Sequence, residues 1–253
     1  MKKIILLLFL ITSLSYSQSD KSKISFGMSL GINSSFFNTP ISELGYNKYL
    51  EYSSYIRFSS KLDLSAFYRI NDYFRLESSL SYVGKGTEYR RKNNNILIID
   101  QNGGSNNGYD KTRFRLNYIE IPLKVNINLK KIFKSDNFEQ MPVYLNVGFS
   151  GGINIKSDIR SNSYVPSSSG GGVFFDVKEK FEVTEFDFAK PFMFNSILGI
   201  GYTFQENSES KFTIDLEYSQ SLQNVYQEDI IQSQYNFKTK NSSIALSFGI
   251  EFN

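Results

Sequence analysis

Seven ionisable residues stand at alternate positions of segments whose other positions are apolar: Arg75, Glu77, Lys85, Glu120, Lys124, Asp215 and Glu217. On a strand this spacing sets the charges on one face and the apolar side chains on the other. Carboxylates interleaved with cations in a confined space do one of two things. They pass protons or solutes along a path, or they pair off and fill the space, because an unpaired charge away from water is costly. Both signs are present, which favours the filled interior, with the conducting path as the alternative. Catalysis is harder to assemble. The chain has no His and no Cys, so it lacks the commonest general base, thiolate metal ligands, disulfides and an acylated cysteine. A Ser/Lys dyad is formally available, yet no nucleophile-bearing motif stands out.

Two further groups invite a ligand reading and do not support it. Asp176, Glu179, Glu182, Glu185 and Asp187 match no calcium-loop spacing, and the Phe and Val residues alternating through them point to a solvated hairpin. Gly103-Gly104 and Gly170-Gly171-Gly172 lack a following helix and are flexibility signals, not phosphate cradles. Neither a metal nor a cofactor is expected.

The charged positions must be held by strands. The chain of 253 residues carries 23 Phe and 17 Tyr but no Trp. Residues 1–17 read as a secretory signal peptide: Lys2 and Lys3, an apolar run Ile4 to Leu10, and a Ser15-Tyr16-Ser17 cleavage site. Cleavage after Ser17 leaves one domain, 18–253. Losing Lys2 and Lys3 from 28 basic residues, against 25 acidic ones, leaves the mature chain near +1, with no basic face for nucleic acid. No later stretch approaches the ~18 consecutive apolar residues of a spanning helix.

Alternation then predicts eight strands: Ile24–Asn33, 58–70, 74–89, 113–129, 142–156, 192–204, one over Lys211–Ser219, and a last one ending Ile244–Phe252. Asn71-Asp72-Tyr73 and Gln205 to Ser210 read as short turns. Loops over 34–57, 90–112, 157–191 and 223–240 are long, and the Asn- and Gly-rich 90–112 reads as mobile. Short and long connections fall on opposite sides, as expected of an eight-stranded antiparallel transmembrane β-barrel, an up-and-down meander with short periplasmic turns and long extracellular loops.

Two observations favour lipid outside over a soluble lipocalin-type barrel with its apolar face inward. The face opposite the apolar one is charged, at Asp63, Arg69 and Glu251 as well as the seven residues above. The aromatics also sort into two girdles. Phe26, Tyr68, Phe74, Phe204, Phe212 and Phe252 are expected near the periplasmic boundary; Phe58, Tyr89, Phe114, Phe192 and Tyr218 near the outer one.

Four segments carry a family likeness: Tyr82-Val83-Gly84-Lys85-Gly86, Tyr118-Ile119-Glu120-Ile121-Pro122-Leu123-Lys124, Leu145 to Gly152, and Leu216-Glu217-Tyr218-Ser219-Gln220-Ser221-Leu222. From about residue 20 onward the chain resembles the porin-like, or PorT-like, outer-membrane β-barrel family of the Bacteroidota. The likeness departs at Glu217, where that family commonly has Arg. It implies an eight-stranded barrel in the cell outer membrane, and some relatives act in type IX secretion and gliding. Barrel enzymes of the outer membrane generally use a catalytic His, so a non-enzymatic barrel is expected. Its lumen would be filled by side chains and its loops would serve surface or envelope roles. The alternatives are an accessory part of a secretion or gliding assembly and a narrow porin for small solutes. Expected partners are outer-membrane lipid, other envelope proteins and the barrel-assembly machinery, met through the C-terminal strand ending at Phe252.

One irregularity is visible. Phe114, Leu116 and Tyr118 put apolar residues on even positions, whereas Ile119, Ile121, Leu123, Val125 and Ile127 put them on odd ones. A strand cannot change phase without an inserted residue, so a β-bulge or the membrane rim is expected near Tyr118-Ile119. Pro122, which lacks a ladder donor, suits such a place.

Overall fold

A computed structural model describes residues 23–38, 52–99, 105–132, 143–166, 172–175, 189–204, 210–225 and 239–252. Residues 1–17, read as a signal peptide, the acidic residues Asp176 to Asp187, Gly103-Gly104 and Gly170-Gly171 lie outside them, while Gly172 is the first residue of a short strand. Among these residues ten strands and one short helix follow in order: β1 (Ile24–Phe37), β2 (Tyr52–Tyr55), β3 (Arg57–Arg69), β4 (Phe74–Ile99), β5 (Ser105–Asn128), α1 (Leu129–Ile132), β6 (Val143–Pro166), β7 (Gly172–Phe175), β8 (Phe192–Phe204), β9 (Ser210–Ser221) and β10 (Asn241–Phe252). Every pairing is antiparallel. The order β1-β3-β4-β5-β6-β8-β9-β10 returns to β1 through the register Phe26↔Phe252 to Phe37↔Asn241, so eight strands close a ring. β2 and β7 add short ladders to β4 and β6 above it. Closure satisfies the ladder groups that β1 and β10 would otherwise leave unpaired.

Turn chemistry explains the short connections. Asn71 Oδ1 accepts from the backbone N–H of Tyr73 and Phe74, both at 2.9 Å, reversing the chain in an Asx turn between β3 and β4. At the opposite end, two connections read from composition as loops contain strand. β4 and β5 stay paired up to Ile99↔Ser105, and β5 and β6 up to Tyr109↔Tyr164. Asn93-Asn94-Asn95, within the segment whose composition reads as a mobile loop, lies inside β4. It lies where the register slips between Asn93 and Leu97, and the β-prone run Ile96 to Ile99 then resumes the strand.

The two faces are sorted opposite to those of a soluble protein. Leu30, Phe149, Phe194 and Phe248 are all more than half exposed, and Ile121 is 61% exposed, whereas Lys85 is 1% and Glu251 2% exposed. The charged face is therefore the inside, and the lipocalin arrangement is excluded. At the short-turn end Tyr68, Phe74, Phe204, Phe212 and Phe252 face outward, and at the other end Phe58, Phe192 and Tyr218 do so. Arg69 keeps the inward parity of Phe67 and opposes Arg75, but at the short-turn mouth it is exposed.

Tyr89 and Phe114 are not girdle residues. They turn inward and pack against each other edge-on at 5.7 Å, with Phe37 6.0 Å from Phe114. Together with Val83, Leu116, Tyr118, Met193 and Val225 they form an apolar plug at the long-loop end of the lumen. The reason lies in β5. Its pairing with β4 is unbroken from Tyr82↔Ile119 to Gly84↔Asn117, so Leu116 and Tyr118 share the inward face with Glu120. The irregularity expected near Tyr118 is present, but the extra residue is Ile155 of β6: Asn117 opposes Lys156 and Tyr118 opposes Asn154. What changes along β5 is the character of the lumen, from apolar to charged, and not the phase of the strand.

Candidate functional site

The lumen is stacked in layers, each placed by strand alternation. At the short-turn end Arg75 of β4 lies 2.6 Å from Glu251 of β10, which also takes Ser25 Oγ at 2.6 Å and has Lys211 at 3.6 Å. Arg75 donates through Nε to Asn126 Oδ1 at 2.8 Å, and its guanidinium sits 4.3 Å above the Phe67 ring. Phe67 faces inward by the same alternation that buries Lys61 and Asp63.

The central layer runs across the barrel. Lys124 of β5 contacts Glu77 at 2.7 Å and Glu217 at 2.5 Å, and Glu217 also binds Lys61, which in turn lies 3.3 Å from Asp63. Asn126 ties this layer to its neighbours, donating to Glu77 at 3.0 Å and Asn146 at 2.6 Å. Asp215 receives two neutral donors, Tyr144 Oη at 2.8 Å and Asn146 Nδ2 at 3.1 Å. The Tyr144 ring occupies the space beside Gly201, where a Cβ would fall 2.2 Å from ring carbon. Nearer the long loops, Lys85 lies 2.6 Å from Glu120, and Glu120 also accepts from Ser150 at 3.1 Å and Asn195 at 3.3 Å. The apolar plug closes over this pair.

The seven residues singled out in the sequence thus fall in three layers. Glu77, Lys124 and Glu217 meet directly and are joined through Asn126 and Asn146 to Arg75 and Asp215, Arg75 also turns to Glu251, and Lys85 and Glu120 form a pair of their own. Lys61, Asp63, Lys211 and Glu251 complete the layers. Strand parity placed all four on charged faces, but nothing in one strand reveals which partner it meets across the lumen. The amides Asn126, Asn146 and Asn195 carry no such signal; a neutral side chain on the inward face reads only as polar.

Among the described residues the lumen keeps a cavity of about 30 Å³ toward Phe67 and Glu251 and another of about 30 Å³ toward Lys85 and Glu120. Each has room for about two waters. Lys61 and Glu217 line both and stand between them. Among the described residues no group of three or more carboxylates is placed to hold a metal ion.

The sequence profile of the outer membrane protein beta-barrel domain family matches residues 16–227. The chain belongs to that family. This outer-membrane barrel also resembles solved structures at low identity. Neisserial surface protein A is 14% identical, with 91% of this chain and 99% of that one covered and a TM-score of 0.39. Ail, the attachment invasion locus protein of Yersinia pestis, is 12% identical over 91% and 100% at a TM-score of 0.37. OprG of Pseudomonas aeruginosa is 12% identical over 90% and 93% at 0.35. Among curated proteins none matches the barrel in sequence.

Membership explains the inverted surface. In lipid the exposed Leu30, Ile121 and Phe149 meet acyl chains, and a charge on that face costs roughly 2–4 kcal/mol at mid-membrane. The barrel puts its charges inside instead, paired within hydrogen-bond reach.

Proposed function

We propose that this outer-membrane barrel is a non-catalytic, non-conducting scaffold. Its lumen is closed by ion pairs and its long hairpins present surface outside the cell. The observation that carries this reading is the Asp63–Lys61–Glu217–Lys124–Glu77 chain of contacts lying between two cavities of about 30 Å³. A solute path would need a continuous wet lumen, whereas here salt bridges occupy the cross-section. An eight-stranded barrel is about the size that side chains alone can fill.

The finer placement among PorT-like proteins of the Bacteroidota rests on Tyr118 to Lys124 and the three other matching segments. On the same reading residues 1–17 are removed by signal peptidase, 18–253 form the barrel domain, and β10 with Phe252 is the strand offered to the assembly machinery. Envelope proteins are the expected partners of the hairpins.

Liposome swelling tests the proposal. Vesicles carrying the refolded barrel should swell in glycine or arabinose no faster than empty ones, and protease added to intact cells should cut only in the long connections. Swelling that depends on the barrel would favour the narrow porin. Co-purification of secretion or gliding components with the native chain would favour the assembly role.

A further inference from the structure

Above the lipid-facing band the outer wall opens into a cationic pocket. The β3–β4 ladder ends at Lys61↔Val83, and β4 finds a neighbour on that side again only at Tyr55↔Glu88, where β2 takes over. Side chains satisfy the carbonyls between. Asn33 Nδ2 donates to Gly84 O at 2.7 Å, Ser35 Oγ to Gly86 O at 2.9 Å, and Arg57 to Lys85 O. The splayed wall borders a concavity of about 760 Å³ whose lining carries the cations Arg57, Arg90, Arg113 and Arg115, the carboxylate Glu88, and the apolar or aromatic Tyr55, Ile56 and Phe58.

Its cations converge on two carboxylates. Arg90, Lys111 and Arg113 each lie 2.9 Å from Glu88, while Arg115 at 4.0 Å and Arg160 at 3.2 Å share Asp158. Burial, and then the neighbouring Arg160, hold the Arg115 pKa below its usual value. Alternation along β5 puts Arg113 and Arg115 on the same face as Ile119 and Ile121, which face lipid. Phe58 is 71% exposed and Ile56 53% exposed on the same wall. Guanidinium groups are matched in shape to phosphate oxygens, which they bind through paired N–H donors. Arginines directly above an apolar surface, with an aromatic residue at the boundary, fit an amphiphile whose anionic end sits at that height.

We propose that this pocket binds the phosphate group of a phosphorylated glycolipid in the surrounding outer leaflet. Arg57, Arg113 and Arg115 hold phosphate oxygens, and Tyr55, Ile56 and Phe58 pack against the sugar and the first carbons of its chains. The site rests on the outer-membrane location and is independent of whether the lumen conducts.

The test is native mass spectrometry of the full mature barrel released from phosphatidylcholine nanodiscs doped with bis-phosphorylated lipid A or with its dephosphorylated form. The wild-type barrel should retain one phosphorylated lipid at least about tenfold in preference to the dephosphorylated one. The Arg113→Gln/Arg115→Gln variant, checked for folding by heat-modifiable gel migration, should lose that preference. Inositol hexakisphosphate should not displace the lipid. Equal retention of the two lipids would overturn the site without recourse to any variant, as would unchanged preference in a folded variant. Binding of inositol hexakisphosphate with no lipid preference would overturn the lipid as source in favour of a soluble polyanion.

Discussion

Lys124 and Glu217 meet across the lumen, Nζ to Oε1 at 2.5 Å, although β5 and β9 are separated in the ring by β6 and β8. Glu217 takes Lys61 on its other oxygen. One carboxylate thus compensates two ammonium groups from the strands that flank β4, and both are nearly inaccessible to water.

Removing that carboxylate leaves two buried cations. Glu217→Ala should cost about 3–5 kcal/mol, as expected when one member of a buried ion pair is deleted. Glu217→Arg, the residue common in the PorT-like family, should be worse here, since Lys61 and Lys124 would face a third cation. Urea unfolding in lipid vesicles, followed by gel migration without boiling, measures both. Wild-type stability in Glu217→Arg would contradict the layer.

The Lys85–Glu120 pair gives a cleaner energetic test. Lys85→Met and Glu120→Gln should each destabilise, and the double variant should be less destabilised than the sum of the two. A coupling energy of about 1–3 kcal/mol is expected for a contacting buried pair. Strict additivity would mean that the 2.6 Å contact contributes nothing.

Gly86 has φ +130°, and a Cβ there would lie 2.0 Å from Phe114 O. Gly86→Ala should therefore destabilise by about 2 kcal/mol or more through backbone strain and steric conflict. At Gly151 the nearest atom to an added Cβ is a Phe194 ring carbon at 3.4 Å, so Gly151→Ala should be near neutral. Thermal shifts of the heat-modifiable band separate the two.

The hairpin above the membrane should respond to acid. Burial raises the Glu88 pKa, but hydrogen bonds from Arg113, Lys111 and Arg90 outweigh it and leave the group lowered. A carboxylate with a depressed folded pKa stabilises fully above the ordinary carboxylate range and loses that contribution as pH falls through its folded value. Hydrogen exchange at 88–90 and 111–113 should be faster in Glu88→Gln than in wild type at neutral pH, with the difference vanishing in strong acid. A difference that persists in acid would contradict an electrostatic role.

Much of the barrel is readable from parity alone, because side-chain period in a strand is geometric: β8 spans Phe192–Phe204, the range its alternation marks. Two features escape it. Leu116 and Tyr118 look lipid-facing by type, yet they face inward, because an apolar side chain suits either lipid or a dry plug. The length of β4 and β5 also escaped, since the Asn- and Gly-rich segment 90–112 reads as a mobile loop while pairing of β4 with β5, and of β5 with β6, extends them as ladders. For the site, parity supplies the inward charges, but the layer joining Lys61 to Glu217 depends on ring closure over 156 residues of sequence separation, which no single strand encodes.

The central claim is that the ion-paired layer closes the lumen, and planar-bilayer recording tests it most directly. The wild-type barrel should add no steady conductance above the bare membrane across the voltage range that the bilayer tolerates. Steady unit conductance steps whose size changes in Glu217→Gln or Lys124→Gln would contradict it.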